Sequence, residues 1–142
     1  MIELQAAMLC DAASIREGLL HVLGAGITFV IRPNYPAPLN ASIGLLFGAR
    51  DLPEAGEDHA FSVTLRREDG EAEPGEIKAN VKFQRPPDGS RLQSLPVALD
   101  LHGTGLSAPG AYEILVSVDG HDRLMIPFEA KVGGEEPTAP FE

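Results

Sequence analysis

Cys10, Asp11, Arg16, Glu17 and His21 stand together in MLCDAASIREGLLHVLGAG, residues 8–26, a thiol, two carboxylates, a guanidinium and an imidazole within one short segment. A thiol near an imidazole suggests a nucleophile and its base. That chemistry needs an exposed sulfur, an adjacent base that raises the thiolate fraction, and a third group to orient the base. In IELQAAMLC, however, Cys10 is in phase with Leu4, Ala6 and Met8, which predicts a core-facing, inert thiol. His21 lies across a turn, and no third group stands near it. Asp11 ahead of AASIREG is expected to cap one helical turn that Gly18 ends, with Arg16 and Glu17 as solvated loop charges.

The other reactive letters lead to similar readings. Gly24–Gly26 (GAG) would have to open a helix to cradle phosphate, but ITFVI follows and is strand-like, so the glycines are read as a bend between strands. His21, His59, His102 and His121 lack the i, i+4 spacing or cysteine companions of zinc ligands, and His59 and His121 are expected in loops. No G-x-S-x-G occurs. Asp51, Glu54, Glu57 and Asp58 could meet Asp119 and Asp122 at one end of the molecule, where hard cations such as calcium take carboxylate oxygens. The competing reading is a solvated acidic rim that protects sheet edges. No catalytic residue, cofactor-binding residue or metal ligand is assigned.

Extended segments must carry these side chains. Tyr112, Ile114, Val116 and Val118 alternate with polar residues, as do Leu124, Ile126, Phe128, Ala130 and Val132; Phe61, Val63 and Leu65; and Ile77, Ala79, Val81 and Phe83. Leu95, Val97, Leu99 and Leu101 continue the pattern, with Ile43, Leu45 and Phe47. A period of two over four or more residues marks a half-buried strand. Asp119-Gly120 signals a tight hairpin, because both central residues of a primed turn need positive φ; Asp69-Gly70 and Arg85 to Gly89 mark further turns. Many short strands without an amphipathic helix predict an all-β fold, an immunoglobulin-like antiparallel β-sandwich. Gly110 two residues before Tyr112 suggests a tyrosine corner, a hydroxyl bonded back to upstream backbone.

The chain has 142 residues, a formal net charge of −10 and 44% apolar residues. That length suits one domain, read as residues 1–132, with a flexible acidic tail at 133–142. The charge argues against nucleic acid and acidic membranes. The single cysteine and the absence of a basic start with an apolar run point to the cytoplasm.

Residues AAMLCDAASIREGLLHVLGAGITFVIRPNYPAPL, EDG at 68–70 and LPVALDLHGTGLSAPGAYEILVSVDGHDRLMIPF together resemble a family of small bacterial proteins known only as a domain of unknown function. The likeness spans nearly all of residues 2–132. It departs from the family pattern at Leu19, where a lysine is more frequent, and at Ile27, where an aromatic is. The resemblance implies an all-β, immunoglobulin-like domain and carries no functional residue with it.

The expected role is a non-catalytic protein-binding or assembly module, meeting a protein partner or a second copy of itself, with no cofactor, nucleic acid or membrane. The apolar segment Leu19, Leu20, His21, Val22 and Leu23 is the candidate interface. The alternative is a small-ligand or calcium-binding protein, or an enzyme, with a loop-based site.

Overall fold

The computed structural model describes residues 2–69 and 72–133, and of residues 72–74 the backbone alone. Among the described residues the chain forms strands and no helix: β1 (Ile2–Cys10), β2 (Ala12–Arg16), β3 (Leu19–Leu23), β4 (Phe29–Arg32), β5 (Ala37–Pro38), β6 (Ser42–Arg50), β7 (Glu57–Arg67), β8 (Ala72–Phe83), β9 (Leu92–Asp100), β10 (Gly105–Leu106), β11 (Gly110–Val118) and β12 (His121–Val132). Gly70, half of one expected turn, and the tail beyond Gly133 lie outside the described residues.

Two larger sheets share one core. One has the order β1-β6-β9; the other, β4-β12-β11-β7-β8, curls into half a barrel. The pairings are antiparallel, with the exception of β4, which runs parallel to β12. Period-two patterning places Ile43, Leu45 and Phe47 of β6 opposite Phe61, Val63 and Leu65 of β7 and Ile114 and Val116 of β11, all buried. Phe47 sits between the sheets with its ring centroid 5.5 Å from that of Phe61 and 6.3 Å from that of Phe83. Offset and edge-on ring contacts of this kind add to the burial of the rings themselves.

Tyr112 is fully buried at the head of β11. Its hydroxyl donates to the Ala108 carbonyl at 2.6 Å and accepts from the Ala108 N–H at 3.3 Å, the upstream contact the sequence anticipates. Phe128 stacks on its ring at 5.5 Å. Asp119 and Gly120, with φ of 51° and 79°, form the two-residue turn that joins β11 to β12.

Alternation alone misplaces a few residues. A bulge between Leu4 and Ala6 shifts β1 by one position, so Leu4, Ala7 and Leu9 share the core face while Ala6, Met8 and Cys10 turn to the other side. One extra residue exchanges every later side chain between faces. Leu124 and Val132, expected inside, are exposed: Val132 lies past the last pair with β11, and Leu124, opposite buried Val116, sits on the stretch of β12 that β4, pairing with Glu129–Val132, does not flank. The helical turn expected after Asp11 is instead β2, and His59 and His121, expected in loops, lie on β7 and at the start of β12.

The short edge strand β4 is closed by its own last residue. The N–H groups of Glu129 and Gly133 bond to the Thr28 and Arg32 carbonyls, which leaves the Ile31 carbonyl on the unpaired side. Arg32 folds back to donate to that carbonyl at 2.8 Å, and also to the carbonyls of Pro38 and Leu39. A guanidinium with its fixed fork of donors suits several carbonyls at once.

Candidate functional site

The segment 12–23 forms a two-stranded hairpin. Arg16 pairs with Leu19, and the residues between them, Glu17 and Gly18, have φ of 54° and 74°, a primed two-residue turn. Cross-strand pairing of Leu19–Leu23 and the branched Ile15 favour the extended form over one isolated helical turn, which is costly to nucleate. Asp11 caps nothing with its backbone in a helix: its N–H donates to the Leu23 carbonyl and closes the open end of the hairpin.

This hairpin lies on the outer face of the β1-β6-β9 sheet, and Gly44 is what lets it approach. A Cβ built on Gly44 would stand 3.3 Å from Leu20 Cδ2 and 3.3 Å from Val22 Cγ2. β6 is therefore buried on both faces at its first half, against the common core on one side and the hairpin on the other. By register Cys10 shares the outer face with Gly44 and is fully buried, its Sγ donating to the Ser42 carbonyl. Burial pushes the Cys10 thiol up, and the neighbouring Asp11 carboxylate adds to the effect. A sheltered, protonated thiol is a poor nucleophile.

The predicted interface thus divides in two. Leu20 and Val22 are half-buried and pack inward, whereas Leu19, His21 and Leu23 face solvent. Leu19 is 61% exposed and Leu23 70%. Completely burying a leucine side chain gains about 1.5–3 kcal/mol, so the outward face holds unused binding energy. His21 points away from the layer that holds Cys10, and the two are not brought together as a reactive pair.

A second cluster was only partly visible in the sequence. His59 Nδ1 lies 2.5 Å from Asp119 Oδ2 and its Nε2 lies 3.0 Å from Glu57 Oε2, while Phe83 meets the ring edge-on at 5.9 Å. Asp119 also accepts from the Ala60 N–H at 3.0 Å through Oδ1. Glu57 and His59 share a face of β7 because they are two residues apart, a spacing that sequence can show; the turn residue Asp119 comes from a distant part of the chain. Burial works against a charged imidazole, but the hydrogen bonds to Asp119 and Glu57 outweigh it and hold the His59 pKa above its ordinary value. The same bonds to His59 hold Glu57 and Asp119 below theirs. With both ring nitrogens engaged by carboxylates, His59 ties β7 to the β11–β12 turn and has no nitrogen left to act as a base.

The cluster makes stability depend on pH. For His59, whose ordinary value is 6.5, the contribution is complete below that pH and is lost as pH rises through the raised folded pKa. For Glu57 and Asp119, ordinarily 4.5 and 3.8, it is complete above those values and lost as pH falls through the lowered folded ones. Stability from this cluster is therefore fullest between pH 4.5 and 6.5. Thermal melts of wild type and His59→Gln from about pH 6 to about pH 8 are expected to show a fall in the wild type that the variant lacks. Parallel slopes in the two proteins contradict a charged His59.

Of the carboxylates considered for calcium, Asp51 faces Arg91 at 3.0 Å, and Glu57 and Asp119 are separated by the His59 ring. Among the described residues no group of three or more histidine, cysteine, aspartate or glutamate side chains is arranged to hold a metal ion. Nor is any helix among them long and apolar enough to cross a membrane.

Residues 5–131 match the model of a family of unknown function, DUF6941. No curated protein matches the chain.

Proposed function

We propose, for a chain that belongs to this family of unknown function, a non-catalytic binding or assembly role in which the outward face of the β2–β3 hairpin contacts another protein chain. The observation that carries it is the division of the hairpin, with Leu20 and Val22 spent on Gly44 while Leu19 and Leu23 stand in solvent on the opposite side. A two-stranded ribbon is marginal alone; here its inner face is anchored, so its outer face can be presented without unfolding. Glu17 and Gly18 keep the ribbon tight at its tip.

The same reading takes the architecture as an immunoglobulin-like sandwich. The strand orders β1-β6-β9 and β4-β12-β11-β7-β8, the parallel edge strand and the Tyr112–Ala108 contact support it. Such folds present surfaces and loops to many kinds of partner, so the assignment of function rests on the hairpin alone. The lone cysteine fits a cytoplasmic setting.

A photo-crosslinking residue in place of His21 is expected to trap a protein chain, this one or another, in the native cell. Leu19→Asp with Leu23→Asp is expected to reduce trapping by about tenfold, the effect of removing hot-spot side chains, while leaving the melting temperature near that of wild type. Light scattering on the two proteins distinguishes self-association from a foreign partner. Trapping at position 21 no stronger than from Lys82, an exposed residue on β8, defeats the proposal.

A further inference from the structure

Where β8 approaches the turn that follows β9, the shared core is left open. A cavity of about 210 Å³ enters between them, walled by Val63, Leu65, Ile77, Leu101 and Ile114. Four of these walls are buried side chains, and Ile77 is half-buried toward the opening. Gly75 and Thr104 stand at the rim. A Cβ on Gly75 would sit 3.3 Å from Leu65 Cβ and 3.4 Å from Thr104 Cγ2, inside the gap, so the missing side chain keeps the entrance clear.

The walls decide what the space can hold. A buried water needs two to four polar partners, and these aliphatic groups offer none; an engineered apolar cavity of about 150 Å³ stays dry and takes up benzene. At the rim Thr104 supplies a hydroxyl, while Glu76, opposite Thr64 in the β7–β8 pairing, turns to the other face of the sheet, where its carboxylate lies 3.7 Å from Lys78. A guest's apolar part therefore goes inward and any polar group stays at the rim. The net charge of −10 disfavours an anionic head.

We infer that this cavity is a binding site for a small neutral molecule with an apolar body of about six to eight carbon atoms, the size that fits beside the benzene-binding precedent. It lies between the sheets, apart from the hairpin face, and does not depend on the role proposed for that face.

Titration of the full chain with 1-hexanol, followed by methyl NMR, tests it. Saturable shifts are expected on the methyls of Val63, Leu65, Ile77, Leu101 and Ile114, with a rise in melting temperature as binding favours the folded state. Hexanoate at neutral pH is expected to bind about tenfold more weakly, because its charge must be brought to an apolar mouth on a strongly acidic protein. Ile77→Phe fills the entrance and is expected to cut the hexanol response by about tenfold. If that variant does not fold, the wild-type titration still decides. Shifts that never saturate, shifts centred on Leu19 and Leu23, or hexanoate binding as well as hexanol overturn the inference.

Discussion

Phe47→Ala is expected to lower the unfolding free energy by about 3–5 kcal/mol, the range for deleting a buried aromatic ring. Phe47 has no exposed surface, and its ring touches Phe61 on β7 and Phe83 on β8 from its own place on β6. Truncation therefore removes apolar burial and also the ring contacts that couple the two large sheets. Neighbours anchored in two other strands cannot both collapse into the hole, which places the cost toward the upper end. Against a total stability of about 5–15 kcal/mol for a domain, this is a large share. Urea unfolding checks it: the midpoint should fall while the slope with denaturant stays constant. A loss below about 1 kcal/mol is at odds with Phe47 as the junction between the sheets.

Gly44→Leu is expected to lift the hairpin and open Cys10. The space beyond a Cβ at this position is already occupied by Leu20 and Val22, so the further carbons of a leucine have nowhere to go unless β2 and β3 move outward. Inserting methylenes into a packed layer costs about 1–3 kcal/mol. Because the common core lies on the other face of β6, that cost falls on docking of the hairpin and leaves the Phe47 side intact. Cys10, buried on the outer face, then becomes reachable without global unfolding. Thiol labelling under native conditions is expected to speed up by about tenfold or more, the response to weakening a local opening equilibrium by 1–3 kcal/mol. Labelling as slow as in the wild type shows that the hairpin does not shield the sulfur.

The core strands were legible because each buries one face, and a period of two then writes itself into the letters. Phe61 to Leu65, Tyr112 to Val118 and Ile77 to Phe83 lie inward as their spacing implies. What failed has a common physical origin in features that do not alter local composition. The bulge near Gln5 exchanges the faces of β1 without any unusual residue, so Cys10 was rightly expected to be buried and wrongly expected in the common core. AASIR carries helix formers, and only its partner across the Glu17-Gly18 turn makes it a strand. For the candidate site, Leu19–Leu23 was recognisable as an apolar ribbon, but which leucines face outward depends on Gly44, far along the chain. The Glu57–His59–Asp119 cluster likewise needs a turn residue 60 positions along the chain.

Arg32 bears on how the folded molecule behaves in a crowded solution. Fibrils grow when an exposed strand offers its row of carbonyls and amides as a template for the next chain. β4 carries the exposed Phe29 and Ile31 and is otherwise suited to that recruitment, yet a guanidinium occupies the Ile31 carbonyl, one of the edge groups an incoming strand would use. The side chain that anchors the following loop thereby also acts as a stopper against self-templated growth.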